Sequence, residues 1–212
     1  MWADLNENDS AAPYYDAADF NAITLAGEHA GNTDYRDAFR GTLDLEVKAL
    51  SGGEFSDYIG FVQMQRPLAK FEFITTNLAE FLNEEGAESP DRYEAVFYYT
   101  DYMPCTYNMF SDKPVDSATG VMFRAPLRQL GGDEASLGFD YVFVNGTETN
   151  VSVKVVVYDT LDGSGRRVAS TNTLKVPLRR SQHTIIRSDF LRVDKGGVNV
   201  QPGYEGDFNV PF

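Results

Sequence analysis

The chain has 212 residues, a formal net charge of -14 and a sequence pI near 4.4, and 42% of its residues are hydrophobic. This length suits one large or two small domains with a sizeable core. Because so negative a chain repels phosphate backbones and anionic lipid surfaces, we exclude nucleic acid and acidic membranes as direct partners.

The first predicted strands lie in the N-terminal third of the chain. Apolar and polar residues alternate in LDLEVKAL, from Leu43 to Leu50, and YIGFVQM, residues 58–64, is a second strand candidate. We place a domain boundary near Gln65-Arg66-Pro67, because proline cannot donate to a strand ladder and often stands at the start of a strand. Residues 1–65 are then the C-terminal part of one β-sandwich domain, and residues 66–212 form a second.

One short helix is predicted after the boundary. Asn77-Leu78-Ala79-Glu80 matches a capping box, in which the Asn77 side chain accepts from the helix backbone and Glu80 reaches back. Leu78, Phe81 and Leu82 fall on one face, and we expect the helix to end by about Glu85. Its predicted role is to cover one end of a sandwich.

Further strand candidates follow with turn signals between them. They are AKFEFIT, YEAVFYYT, TGVMFRA, NTLKVPL and HTIIRSDFL. Short strands separated by Gly-rich turns indicate an antiparallel sandwich or barrel, and the twelve tyrosines and fifteen phenylalanines also favour sheets. The fold class is therefore all-β.

The aromatic run FYYTDYMPCTYNMF, residues 97–110, is the candidate binding surface. Tyr98, Tyr102 and Tyr107 could stack on sugar rings or on a protein partner. They could equally be core and rim aromatics of a strand and its following turn, since tyrosine commonly keeps one end wet. Cys105 lies in the same run and is predicted to be a small, partly buried strand residue.

Two strands with strict alternation come next, from Leu137 to Val144 and from Val151 to Tyr158. In the first, Leu137, Phe139, Tyr141 and Phe143 are expected on one face. In the second, four valines share a face. The polar linker of residues 145–150, rich in Asn, Gly and Thr, predicts a hairpin turn that joins the two strands.

Reactive side chains are few and scattered. The two histidines, His29 and His183, are far apart in the chain, and the sequence has no GxSxG, HExxH or CxxC motif. A catalytic triad needs a base and an orienting carboxylate around a nucleophile, and nothing local supports one. We predict no catalytic residue, no metal site, no cofactor and no enzymatic activity.

Seven segments, in order along most of the chain, carry a family resemblance. They are MWADL near the start, YRDAFRG, RPLAKFEF, YTDYMPCTYNMFSDKP, LGFDYVFVNG, VPLRRSQHTIIRSDFL and the ending GDFNVPF. Together they resemble the fimbrillin-like cell-surface proteins of Bacteroides-type bacteria. The resemblance implies tandem β-sandwich domains of transthyretin or immunoglobulin type, secretion, and a role as a fimbrial subunit, anchor or adhesin.

The resemblance also implies a longer protein. Chains of this family begin with a lipoprotein signal, a lipidated cysteine and the first strands of the N-terminal domain, so we expect Met1 to lie inside that domain and residues 1–65 to have open sheet edges. The implied location is the outer membrane, through a lipid anchor that lies outside this chain. The implied partners are other fimbrial subunits or a surface ligand. The alternative is a carbohydrate-binding surface module associated with glycan uptake.

Overall fold

A computed structural model describes residues 1–8, 11–44, 61–146, 149–161, 163, 165–192 and 208–211. The helix α1 spans Leu78–Glu85. The strands are β1 (Trp2–Asp4), β2 (Tyr15–Asp16), β3 (Ile23–Leu25), β4 (Ala38–Arg40), β5 (Leu68–Thr75), β6 (Tyr93–Tyr99), β7 (Met103–Asn108), β8 (Lys113–Ala118), β9 (Met122–Pro126), β10 (Arg128–Gly131), β11 (Glu134–Phe143), β12 (Thr149–Asp159), β13 (Arg166–Ser170), β14 (Leu174–Leu178), β15 (Gln182–Ser188) and β16 (Phe208–Pro211). Within these ranges, no helix is both long enough and apolar enough to span a bilayer.

Two sheets form the sandwich. Sheet I has the strand order β10-β11-β5-β15-β16, and sheet II has the order β13-β12-β6-β9, with β14 also pairing with β12. All the pairings are antiparallel except that of β5 with β15. The main core fills the space between the sheets and includes Phe71 of β5, Phe97 of β6 and Val155 of β12. The predicted all-β fold is confirmed, and the part of the chain that the structure describes contains the one predicted short α-helix.

A third layer covers the outer face of sheet I. The strands β2, β3, β7 and β8 form sheet III in that order, and β1 pairs with β4. A second core lies beneath them, where Tyr15 and Ile23 pack with Tyr107 and Phe143. The N-terminal strands therefore share a core with strands that follow residue 66.

The predicted domain boundary at residues 65 and 66 stays a prediction. Arg40 and Gln65 form an isolated bridge, and the residues after Pro67 enter β5 directly. The predicted strand LDLEVKAL lies mostly outside the described residues, as does the start of YIGFVQM, and the described parts of both segments are not in strands. The other strand predictions match β5, β6, β9, β14 and β15.

The predicted hairpin is wrong. β11 pairs with β10 and β5 in sheet I, whereas β12 pairs with β6, β13 and β14 in sheet II. The linker after Phe143 thus carries the chain from one sheet to the other. Alternation identifies a strand but not its partner, and a linker longer than two residues does not impose the tight hairpin geometry. Packing across the sandwich decided the pairing.

A β-bulge in β11 also changes the predicted faces. The register with β5 shifts between Ser136 and Gly138, so Leu137 faces the main core while Phe139 faces the second core. Gly138 has a φ of 144°, and a Cβ there would lie 2.8 Å from both the Ala125 Cβ and a Phe97 ring carbon. Only glycine fits this position. The shared face of the β12 valines is confirmed.

Helix α1 has the predicted bounds but a different cap. The Asn77 side chain makes no hydrogen bond to the helix, because its Oδ1 accepts from Thr75 Oγ1 at 2.7 Å and from the Leu191 backbone N–H at 3.2 Å. The first free N–H groups of the helix are instead bound by the backbone and side-chain oxygens of Asp133. The capping box of Asn77 and Glu80 is therefore wrong. A distant residue performs the capping.

Candidate functional site

The three predicted binding tyrosines do not share a surface. Tyr102 is 66% exposed in the turn between β6 and β7, and Tyr98 is half-buried on β6. Tyr107 is fully buried in the second core, where its hydroxyl donates to Asp112. A binding platform that includes Tyr107 is therefore wrong, because its ring stacks on Phe143 with centroids 5.4 Å apart. The contribution of Tyr98 and Tyr102 to ligand binding stays a prediction.

A cavity of about 480 Å³ lies beside this region, between β3, the start of β7 and the turn that joins β8 to β9. Its lining is largely apolar and sulfur-containing, with one imidazole and one carboxylate. The lining residues are Leu25, Gly27, Glu28, His29, Met103, Cys105, Ala118, Gly120, Val121 and Met122. Cys105 is half-buried in β7, as predicted. The composition suits an apolar side chain or a small amphipathic molecule.

Strand β9 begins at the cavity, which Met122 lines, and forms one edge of sheet II. Tyr99 N–H donates to Val121 O at 3.0 Å, and Leu127 N–H donates to Tyr93 O at 3.2 Å, so the odd-numbered residues of β9 bond to β6. In an antiparallel ladder the intervening residues point their backbone groups the other way. Met122 and Arg124 therefore direct N–H and C=O groups away from the sheet. No described strand pairs with this side.

His29, which lines the cavity, also belongs to a buried charge network around Asp140 of β11. Its carboxylate lies 2.7 Å from Arg36 Nη1 and 2.7 Å from His29 Nε2, and it accepts from the Tyr99 hydroxyl at 2.6 Å. Burial alone would raise the pKa of Asp140, but the charge of Arg36 and the contacts of His29 outweigh burial, so the pKa lies below its usual range. The carboxylate is ionised.

This network fixes the N-terminal segment to the sandwich. Arg36 and His29 belong to the segment between β3 and β4, and the Asn32 N–H also donates to Phe139 O at 2.8 Å. The sequence did not reveal the network because His29 and Asp140 are 111 positions apart. The local signal was a charged residue, Asp140, in the mostly apolar second half of β11.

The second histidine belongs to another carboxylate cluster. His183 Nε2 lies 3.4 Å from Glu72 Oε2, and the Ser136 hydroxyl donates to Glu72 Oε1 at 2.6 Å. The carboxylate therefore stands between the serine and the histidine. A nucleophilic triad needs the histidine in the middle, where it can take the serine proton. This arrangement ties β5, β11 and β15 together, and it lacks the geometry for acyl transfer.

Metal ligation has no support in the described part of the chain. No group of three or more His, Cys, Asp or Glu side chains there is close enough to hold an ion. The strongest features of the surface are the cavity and the adjoining edge of β9.

Comparison with known proteins gives a family and distant matches among solved structures, two of which are described here. The model of a family of unknown function, DUF6562, matches residues 1–212. The fimbrial anchor protein Mfa2 from Porphyromonas gingivalis aligns with 80% of this chain and 57% of its own, at 14% identity and a TM-score of 0.37. A candidate adhesin from Bacteroides ovatus aligns with 81% of this chain and 51% of its own, at 14% identity and a TM-score of 0.36.

The chain thus spans little more than half the length of these two structures. No curated protein matches the sequence.

Proposed function

We propose that this chain, which belongs to the DUF6562 family of unknown function, is a non-enzymatic cell-surface protein that serves as a fimbrial subunit, anchor or adhesin. Its partners are other fimbrial subunits or a surface ligand. A lipid anchor upstream of the chain attaches it to the outer membrane. The support from sequence is the ordered series of segments that resembles fimbrillin-like proteins.

The observation that carries the proposal is the edge of β9 beside the cavity. An exposed strand edge offers backbone donors and acceptors to an incoming strand, and a neighbouring pocket can select one of its side chains. Here the open groups of Met122 and Arg124 lead directly into the cavity, whose lining includes Met122 and Val121. A partner strand along β9 would place one apolar side chain in this space.

The edge can be blocked without disturbing the sheet. In Arg124→Pro the lost N–H is one that points away from β6, so the ladder with β6 keeps its hydrogen bonds. Arg124→Ala is the matched control, because it removes the same side chain and its exposed ion pair with Glu94 but keeps the N–H. The two variants differ chiefly in their ability to pair with another strand.

The experiment compares both variants in the source organism. We expect the Arg124→Ala protein to behave as the wild type in surface assemblies on unheated denaturing gels and in cell adhesion. The Arg124→Pro protein should reach the surface in normal amount but lose assembly or adhesion. Normal assembly and adhesion by Arg124→Pro would show that the edge of β9 is not the binding element.

Carbohydrate binding is the second candidate function. It is favoured by the exposure of Tyr102, because exposed aromatic rings provide flat surfaces for stacking on sugars. Glycan-array binding that Tyr102→Ala abolishes, with the fold intact, would support it. Binding that Arg124→Pro abolishes and Tyr102→Ala leaves unchanged would support the strand edge.

A further inference from the structure

A cluster of basic side chains lies at the opposite end of β7 from the cavity. Asp112, in the turn between β7 and β8, receives Arg180 Nη1 at 2.8 Å on each of its two carboxylate oxygens. Arg40 Nη2 binds the same carboxylate, and the Tyr107 hydroxyl donates to it. Two guanidinium groups therefore converge on one carboxylate.

Asp112 is ionised, but its single negative charge does not cancel the two positive charges of Arg40 and Arg180. Burial would raise the pKa of Asp112, but hydrogen bonds from Arg180, Tyr107 and Arg40 outweigh it and hold the pKa below its usual range. The two arginines and one aspartate carry a net charge of one positive unit. This local excess stands out in a chain whose formal net charge is -14.

Three N–H donors of this cluster lack an acceptor among the described residues. They are the Nε groups of Arg40 and Arg180 and the indole Nε1 of Trp2, and all three atoms are buried. Arg40 as a whole is only 7% exposed. A buried donor without a partner is costly, and more so when it belongs to a charged group.

The three donors belong to neighbouring side chains. Trp2 and Arg40 are direct cross-strand partners in the pairing of β1 with β4, so their side chains stand on the same face. The Trp2 ring lies 6.5 Å from the ring of Tyr107, whose hydroxyl is bound to Asp112. Both arginines reach that same Asp112. The Asp112 side chain is 35% exposed, so solvent reaches the carboxylate that both arginines bind.

We propose that Trp2, Arg40 and Arg180 form a binding site for a carboxylate. One carboxylate would neutralise the excess positive charge and supply acceptors for donors that otherwise have none. The planar guanidinium groups match carboxylate geometry and bind it through charge-assisted hydrogen bonds. The ligand is either a free carboxylic acid or the side chain of an acidic residue from a partner.

Trp2 gives the site its own readout, because it is the single tryptophan of the chain. The folded protein is titrated with sodium acetate at constant ionic strength, and the tryptophan fluorescence and the indole N–H resonance of the ¹⁵N-labelled protein are recorded. We expect a saturable change in both signals, with a dissociation constant on the order of 1 mM, a strength within reach of a few charge-assisted hydrogen bonds. Sodium chloride alone should give no saturable change.

Two variants and a control test the assignment. Arg40→Lys keeps the charge beside Asp112 but removes the Nε donor, and acetate should bind about tenfold more weakly. Arg166→Lys makes the same exchange at an exposed arginine of β13 in sheet II, outside both proposed sites, and should bind acetate as the wild type does. Circular dichroism checks that each variant is folded. If Arg40→Lys does not fold, Trp2→Phe is measured instead through the amide resonances of Asp112 and Arg180.

The outcomes separate the ligand sources and allow refutation. N-acetylaspartate amide binding more tightly than acetate indicates an acidic side chain of a partner, whereas equal or weaker binding indicates a free acid. The proposal fails if acetate gives no saturable change, if chloride reproduces the acetate curve, or if only phosphate binds. It also fails if the folded Arg40→Lys or Trp2→Phe variant binds acetate with unchanged affinity. None of these results bears on the edge of β9.

Discussion

Replacing Asp140 with asparagine tests the role of the buried network. The Asp140 side chain is fully buried and that of Arg36 is 3% exposed, so Asp140→Asn leaves the guanidinium without its counter-charge in the interior. Breaking a buried ion pair by removing one partner costs about 3–5 kcal/mol. Because the asparagine oxygen can still accept from Tyr99, we expect a loss of about 3 kcal/mol.

Urea unfolding followed by circular dichroism measures this loss. The slope for small proteins is about 1–3 kcal/mol per M of urea and rises with size, so about 2–3 kcal/mol per M suits this chain, and a loss of this size lowers the midpoint by about 1–1.5 M. Asp101→Asn is the matched control, since Asp101 is exposed and its loss should change stability by less than about 0.5 kcal/mol. A midpoint for Asp140→Asn within about 0.3 M of the wild type would refute the reasoning.

A double-mutant cycle with Arg36→Met isolates the ion pair. Removing both charges leaves no uncompensated ion, so the double variant should be more stable than the sum of the single losses predicts, by at least about 2 kcal/mol. Additivity of the two losses would mean that Asp140 and Arg36 stabilise the fold independently of each other.

Three further predictions concern pH, the bulge and the cap. The pKa of Asp140 is lower in the folded protein than in the unfolded chain, where it is about 3.9. Its stabilising effect is therefore complete above that unfolded value and is lost as pH falls through the folded pKa. The difference in unfolding free energy between the wild type and Asp140→Asn should thus shrink below about pH 4. Gly138→Ala should lower the free energy of unfolding in urea by at least about 1–3 kcal/mol, because the new Cβ would overlap core atoms. Gly146→Ala is the control and should lower it much less, because a Cβ there meets no atom within 4 Å. Asn77→Ala should lower thermal stability by about 1–3 kcal/mol, because it orphans a buried backbone N–H, and Glu80→Ala should have almost no effect. Equal losses of stability in Asn77→Ala and Glu80→Ala would indicate that these two residues do form a capping box.

The strands could be predicted because their signal is local. Alternation in β12 places Val151, Val153 and Val155 on one face whatever the strand pairs with, and the bounds of α1 follow from its own apolar residues and the Gly86 that ends it. The all-β fold class could be predicted from these local signals alone.

Pairing and register could not be predicted in the same way. The bulge at Gly138 inserts one residue and reverses the faces of β11, which an unbroken alternation does not show. The partner of each strand depends on packing between sheets. The predicted hairpin therefore failed although both of its strands exist.

Side-chain clusters were the hardest feature to predict. Tyr107 is polar enough to suggest a surface role, yet Asp112 satisfies its hydroxyl and the ring is buried. The contacts of Asp140 and Asp112 join residues from distant parts of the chain, and no spacing in the sequence marks them. Such clusters follow only from the folded arrangement.

Surface labelling tests the central proposal most directly. Intact cells of the source organism are treated with a membrane-impermeant biotin reagent, and the recovered proteins are identified by mass spectrometry, with an abundant intracellular protein as the control for lysis. We predict that peptides of this chain are biotinylated on intact cells while the control protein is not. Labelling of this chain only after the cells are broken would contradict a role as a fimbrial or adhesive surface protein.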